Sequence, residues 1–214
     1  MTGDDGDVER RRTLATAELG ATRHPRRLGN DLAVTDGLSG QLLIAGPSLG
    51  DPNFDRTIVY LLEHAPEGAL GVVLNRPSTL GVAKTFPQWT AAAALPRVIF
   101  SGGPVEADAV LGLVRVRDAI DGPGWTSITG AIGTVDLGMD PESVSAGVEQ
   151  IRIYIGYAGW GAGQLEEEVA AGAWFVVEPA GHDVFHPDPD RLWGDVLRRD
   201  AARVAMASDN PSWN

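Results

Sequence analysis

Short apolar runs, each ended by turn-forming residues, dominate the chain from residue 41 to residue 177. The run at 57–62 (TIVYLL) is mostly apolar, which predicts a strand buried on both faces. The run at 150–157 (QIRIYIGY) alternates strongly between apolar and polar residues and is the clearest strand in the sequence. Applied along the chain, the pattern predicts strands at 41–45, 57–62, 69–74, 97–100, 110–116, 133–137, 150–157 and 173–177.

Helices are predicted where a capping residue or an apolar stripe interrupts this series of strands. Residues 118–129 are predicted to form a loop. Hairpins mixed with a strand–turn–helix–strand unit indicate an α+β fold with a mixed, curled sheet flanked by helices. The predicted helices are a short one capped by Ser78 or Thr79 and ending at 85, one opened by Pro141 and weakened at Gly147, one at 164–171 stopped by Gly172, and one at 191–205.

The strands at 57–62 and 69–74 are expected to pair as a hairpin, because the turn between them is too short for a parallel crossover. The hairpin brings Asn75 and Arg76 to the end that carries the loop 51–56. His64 falls at the opposite end, so it is not expected to share a site with Arg76. Two interpretations of the first end stay open: a ligand site, and a buried ion-pair network that fixes the loop.

The segment 156–163 (GYAGWGAG) lies between a predicted strand and a predicted helix, where anions often bind. Neither the dinucleotide spacing of glycines nor the Gly-Lys-Ser/Thr of a P-loop is present. Three glutamates at 166–168 also follow, and acids in a first helical turn are ordinary helix chemistry. The segment is therefore interpreted as a packing turn that presents Trp160 and Gln164. Taken together, the candidate ligand-binding residues are Asp51, Asn53, Arg56, Asn75, Arg76, Tyr157, Trp160 and Gln164.

Charge is distributed unevenly along the 214 residues, whose formal net charge is −12. Residues 1–36 hold seven acids and six arginines, so residues 37–214 carry nearly all the negative charge. We expect 1–36 to be a flexible extension and 37–214 to be the folded domain. Nucleic-acid backbones need clustered cations, so the domain itself is not expected to bind them. The arginines at 10–12 and 23–27 leave DNA binding by the extension as an alternative.

Several mechanisms are excluded or disfavoured by residue types. The absence of cysteine removes thiol chemistry and disulfides. No secretory signal is evident, and no apolar run approaches the roughly 20 residues of a membrane helix, so a cytoplasmic protein without membrane association is predicted. No metal or other cofactor is predicted: His182 and His186 have metal-ligand spacing, but Gly181 and Pro187 flank them and favour a polar surface loop.

Residues 46–50 (GPSLG) match the pattern of a hydrolase nucleophile elbow, with Ser48 as the nucleophile. Such an elbow needs a helix directly after the serine, whereas here a second strand follows within a few residues. A plain loop is favoured, and a hydrolase using Ser48 stays an alternative. No catalytic residue is assigned, and the sequence favours a non-enzymatic function.

Five stretches of the sequence carry a family resemblance: GQLLIAGPSLGDPNFDRTIVYLLEH (40–64), GALGVVLNRP (68–77), SGGPV (101–105), RIYIGYAGWGAGQLEEEVAAGAW (152–174) and PSWN (211–214). Together they resemble the YqgE/AlgH family of bacterial proteins. The resemblance spans 37–214 and leaves 1–36 outside. It implies an α+β fold with a bifurcated, partly barrel-like sheet. It implies no established activity and no catalytic residues, although one branch is associated with transcriptional regulation of exopolysaccharide synthesis. On this basis we expect a regulatory module that binds a small molecule or a protein partner.

Overall fold

A computed structural model describes residues 37–47, 49–117, 124–141, 147–202 and 204. Their strands form a 10-stranded sheet. The strands are β1 (Leu42–Ala45), β2 (Ile58–Ala65), β3 (Gly68–Val73), β4 (Pro77–Gly81), β5 (Val98–Ser101), β6 (Val105–Val116), β7 (Trp125–Thr129), β8 (Ile132–Val135), β9 (Val148–Gly161) and β10 (Trp174–Val177). The α-helices are α1 (Val82–Thr85), α2 (Gln164–Ala170) and α3 (Pro189–Arg199), and short 3-10 helices cover Pro52–Phe54 and Pro87–Trp89.

The sheet runs in the order β10-β1-β2-β3-β9-β6-β8-β7, and β4 and β5 branch from it. All its pairings are antiparallel except that of β5 with β9. The sheet curls enough that a Cβ built on Gly40, just before β1, would lie 2.7 Å from a methyl carbon of Thr129 in β7. This curled half-barrel with flanking helices confirms the predicted α+β fold.

The branch in the sheet lies on β9, the longest strand. The first part of β9 pairs with β6 and β5, and its last residues, 158–161, pair with β3. Gly102 lies at the junction, where its N–H donates to Ile155 O and its carbonyl accepts from Val73 N. Gly156 has φ +70°, and a Cβ there would lie 2.5 Å from Gly103 O. Only glycine permits this backbone approach without strain.

The hairpin of β2 and β3 is confirmed by its antiparallel register, which pairs Tyr60 with Val72. Alternate residues of β2 enter two different cores, so both faces of the strand are buried as predicted. Leu192 and Val196 of α3 pack in the core on one face, and Leu165 of α2 packs on the other. The two helices therefore cover opposite faces of the β1–β2–β3 region.

Three sequence predictions of local structure are wrong. Residues 77–81 are a strand that pairs with β5, so the helix capped by Ser78 or Thr79 is absent and α1 begins only at Val82. Residues 125–129 are strand β7 instead of loop. The turn predicted at 156–163 is confined to residues 162 and 163, because β9 continues to Gly161. In each case strand pairing overrides the local signal: residues 77–81 pair with β5 and the end of β9 pairs with β3, whereas β7 forms a hairpin with its neighbour β8.

The predicted helix from Pro141 falls largely on residues 142–146, outside the described part of the chain. The C-terminal helix begins at Pro189, two residues before its predicted start, and residues 203 and 205 of its predicted range are also outside. Within the described ranges, no helix combines the length and the apolar character needed to cross a membrane.

Candidate functional site

Asn75, two residues after the end of β3, fixes the conformation of the loop that precedes β2. Its side-chain Oδ1 accepts from Ile58 N at 2.9 Å, and its Nδ2 donates to Arg56 O at 2.8 Å. The amide is buried, and these two bonds hold the loop from both sides of residue 57. Arg56 has φ +51°, a left-handed conformation that is unfavourable for a side chain with a Cβ. A strained residue of this kind is a pointer to function.

Arg76 reaches the same loop from the neighbouring position. Its Nη2 donates to Asp55 O at 2.6 Å, while the side chain stays exposed. The partner is a backbone carbonyl, so the charge of Arg76 is not neutralised by this contact. The loop is therefore held by hydrogen bonds between the side chains of Asn75 and Arg76 and its backbone. The ion-pair network considered from the sequence does not form among the described residues.

Helix α3 completes a cavity of about 420 Å³ at this end of the hairpin. The guanidinium carbon of Arg56 lies 5.8 Å from the ring centroid of Trp193, within the range of a cation–π contact. Because Gly194 has no side chain, the guanidinium of Arg198 can lie close to the helix: a Cβ on Gly194 would be 3.2 Å from Arg198 Nη1. We call this cavity the arginine pocket. Its lining residues are Arg56, Asn75, Arg76, Asp190, Arg191, Trp193, Gly194 and Arg198.

Two of the candidate residues shape the loop without lining the pocket. Asp51 caps the 3-10 helix at Pro52–Phe54, and its Oδ1 accepts from Asn53 N at 2.8 Å. Neither Asp51 nor Asn53 is among the lining residues. Their observed contact sets the path of the chain toward Arg56.

The other three candidates do not line the pocket, and two of them, Trp160 and Gln164, lie around α2. Trp160 is only 7% exposed, so it is not presented to solvent as the sequence suggested. Its indole N–H donates to Glu168 Oε2 at 2.9 Å, and the indole of Trp174 donates to the same oxygen at 2.8 Å. Gln164 Nε2 donates to Glu168 Oε1 at 2.9 Å. We call Trp160, Trp174, Glu168 and the adjoining Phe54 the tryptophan cluster.

The tryptophan cluster supports the loop that bears Arg56. The rings of Trp160 and Trp174 meet edge to face at 5.8 Å, and Phe54 meets Trp174 at 5.3 Å. Tyr157 packs instead against the core beneath α3 and pairs with Val105. Because Glu168 accepts from both indole N–H groups, it holds the two tryptophans in place. Its position in a run of three glutamates did not indicate this role.

His64 lies at the far end of the hairpin, as predicted. Its Nδ1 accepts from Leu38 N at 3.0 Å, so the ring proton sits on Nε2, which donates to Glu166 Oε1 at 2.9 Å. A hydrogen bond from its own backbone amide, with the contact to His64, holds the pKa of Glu166 below its usual range. This pair joins α2 to the hairpin turn and has no part in the arginine pocket.

The loop containing His182 and His186 is only partly a polar surface loop. His182 is exposed, but Val184 and Phe185 enter the core and Asp183 is buried. Asp183 Oδ2 accepts from Ala180 N and from Arg199 Nη1, each at 2.7 Å. Across the described ranges, no three residues of the His, Cys, Asp and Glu types are grouped to hold a metal ion. Ser48 and the arginines of 1–36 lie outside those ranges.

Sequence reasoning missed the contribution of α3 to the pocket. Arg191, Gly194 and Arg198 are spaced i, i+3 and i+7, which puts them on one helix face. That spacing was readable in the sequence, with a glycine between two arginines on the side away from the apolar stripe. Nothing local indicated that this face would meet the end of the hairpin.

Comparisons with known proteins find relatives that are similar to this protein over most of the chain. The profile described as AlgH-like matches residues 42–205. A UPF0301 protein from Streptomyces coelicolor is 50% identical over 184 residues, covering 83% of this chain and 95% of the relative. A UPF0301 protein from Mycobacterium tuberculosis is 43% identical over 176 residues, covering 81% of this chain and 87% of the relative.

Two solved structures share the fold. A crystal structure of a Corynebacterium diphtheriae protein superposes with a TM-score of 0.72 at 29% identity, covering 86% of this chain and 95% of that one. The solution structure of the AlgH protein from Pseudomonas aeruginosa gives 0.63 at 28% identity, covering 86% of this chain and all of that one. With the profile match and the close relatives, these likenesses show that the chain belongs to the AlgH-like family.

Proposed function

We propose that this protein is a non-enzymatic binding module that holds an anionic small molecule in the arginine pocket. The observation that carries the proposal is the convergence of four arginines on one cavity in a chain whose net charge is −12. They come from the loop before β2, from the residues after β3 and from α3. A cluster of positive charges on a protein that is negative overall attracts anions to that one site.

The chemistry of the lining supports the same proposal. A guanidinium offers several N–H donors in a planar fork, which suits carboxylate and phosphate oxygens. A cavity of about 420 Å³ falls in the roughly 300–1,000 Å³ range of small-molecule sites. The loop is already held by Asn75, so binding at Arg56 requires little ordering of the backbone.

A regulatory role is also part of the proposal, and the position of the pocket between α3 and the β2–β3 hairpin supports it. An anion there would bridge α3 to the β2–β3 hairpin and so change the surface that a partner protein meets. The AlgH protein of P. aeruginosa shares the fold, and the family resemblance links one branch to transcriptional regulation. The structure adds no support for a hydrolase using Ser48 or for DNA binding by the N-terminal arginines.

Thermal unfolding with a panel of anionic metabolites, nucleotides and their neutral analogues tests the proposal. A ligand that binds only the native state stabilises it by about 2.7 kcal/mol at a hundred times its Kd. We expect anions to raise Tm in phosphate-free buffer and neutral analogues to leave it unchanged. The double substitution Arg76→Ala with Arg191→Ala should abolish the shift.

Arg117→Ala is the matched control, because Arg117 is exposed and does not line the pocket. It removes the same charge as either single substitution and should keep the ligand response. An unchanged Tm across the whole panel would refute the binding proposal. A Tm shift that survives the double substitution would place the anion elsewhere on the protein.

A further inference from the structure

The charges around the arginine pocket define how much negative charge a ligand must bring. Four arginines line it, but Arg198 forms an ion pair with Asp195, and the lining itself includes Asp190. The remaining three, Arg56, Arg76 and Arg191, form no ion pair with any carboxylate of the described residues. The two carboxylates offset two of the four positive charges. Two are left for the ligand to balance.

The origin of the unpaired arginines indicates the shape of the charged group. Each comes from a different element: Arg56 from the loop before β2, Arg76 from the residues after β3, and Arg191 from the first turn of α3. A phosphate monoester carries three terminal oxygens on one atom and can accept from three directions.

The remaining space indicates that the ligand extends beyond the phosphate. The cavity also takes in the ring of Trp193, beside which Gly194 brings no side chain of its own. An indole ring beside an anion site is suited to an apolar or aromatic group attached to that anion. The pocket thus combines a site for a doubly charged head with a site for a small organic body.

We propose that the ligand of the arginine pocket is a small phosphate monoester bound as its dianion. This inference rests on the proposed function, since it names the chemical class of the anion held there. It adds one claim to the general proposal: the number of negative charges on the ligand, as well as their sign, decides its affinity.

Phenyl phosphate and phenyl sulfate are the probes, because they share a shape and differ in charge at neutral pH. Calorimetric titration of the full chain at about pH 7.5 should show phenyl phosphate binding at least about tenfold more tightly, which is about 1.4 kcal/mol. The second pKa of a phosphate monoester is about 6. Its affinity should therefore fall toward the sulfate value by about pH 5.

The phenyl sulfate series controls for titration of the protein itself. Asp190 lines the pocket, Asp195 lies behind Arg198, and His186 Nε2 lies 3.5 Å from Asp195 Oδ2. Any effect of these groups would change the affinity for both probes in the same direction, and below the second pKa of the phosphate, where both probes are monoanions, to the same extent. Arg76→Ala should reduce phenyl phosphate affinity by at least about tenfold, since it removes a charge-assisted hydrogen bond to the phosphate, while Arg117→Ala should not.

The outcomes separate the two proposals. Equal affinity for both probes, lost in Arg76→Ala, would overturn the dianion and keep the anion pocket. Tighter binding of succinate than of phenyl phosphate would replace the phosphate monoester with a dicarboxylate. Binding of no anion at all would overturn the proposed function together with this inference.

Discussion

The glycine-rich end of β9 and the arginine pocket differ in how easily each can be recognised in the sequence. The glycine-rich end, with its tryptophans, is the more distinctive stretch, yet it builds buried scaffold: Trp160 is 7% exposed and its N–H is bonded to Glu168. The pocket is assembled from residues scattered over the loop before β2, the residues after β3 and α3. A distinctive sequence motif can therefore mark residues that the fold requires. The residues of the candidate binding site, in contrast, form no motif in the sequence.

The largest effect is expected at the sheet junction. Gly156→Ala places a Cβ 2.5 Å from Gly103 O at φ +70°, which combines a steric clash with backbone strain. We expect a loss of about 3 kcal/mol or more in the free energy of unfolding, measured by urea denaturation. Gly50→Ala is the control, since no atom lies within 4 Å of its Cβ position. Similar stabilities for the two variants would contradict the proposed role of the junction.

The tryptophan cluster should come next. Glu168→Ala removes the acceptor of two indole N–H groups and of Gln164. Hydrogen bonds to a charged group contribute about 1.5–3 kcal/mol, so we expect a loss of about 2–3 kcal/mol. Glu167→Ala changes the same charge on the same helix at an exposed position and should have little effect. If both substitutions cost the same, the indole bonds to Glu168 are unimportant.

In the arginine pocket, stability and binding should separate. Arg56→Gly and Arg56→Ala both remove the guanidinium, and both should weaken anion binding. Only glycine adopts φ +51° without strain. The glycine variant should therefore unfold with a free energy about 1 kcal/mol higher than the alanine variant, measured by paired urea denaturation curves. An alanine variant that is as stable as the glycine variant would show that the loop relaxes and that Arg56 is not held under strain.

The smallest effect is expected from Glu166, two residues from Glu168 on α2. Its pKa is lowered in the folded state, so its stabilising contribution is present above the unfolded pKa and disappears as pH falls through the folded pKa. Glu166→Gln should lower Tm slightly at about pH 6.5 and less at about pH 3.5, because exposed ion pairs contribute little. A Tm difference that grows on acidification would have the wrong sign.

Sequence patterns predicted the β2–β3 hairpin, and the residues that it brings together, because the hairpin depends only on two apolar runs and the short turn between them. Once β2 and β3 pair, Asn75 must approach the loop before β2, and the structure shows that it binds Arg56 O and Ile58 N. The separation of His64 from Arg76 follows from the same argument and is also observed. A short connection between apolar runs therefore predicted one wall of the pocket.

The remaining features depend on contacts distant in sequence. Gly159 and Gly161 look like turn residues, but pairing with β3 extends β9 through them. Residues 77–81 begin with proline and are still drawn into the sheet by β5. The opposite wall of the pocket requires α3 to dock beside a hairpin more than a hundred residues earlier. No local pattern specifies such a docking, because propensity carries no information about a partner.

The shared strand β9 has a consequence for how the molecule opens. Because its first part belongs to the β6 side of the sheet and its last four residues to β3, neither side can separate while β9 keeps its hydrogen bonds. The two sides should therefore unfold as one cooperative unit, with the amides of 148–161 among the last to exchange with solvent. In such an arrangement, tightening the contact between α3 and the hairpin at one end would slow hydrogen exchange throughout the sheet.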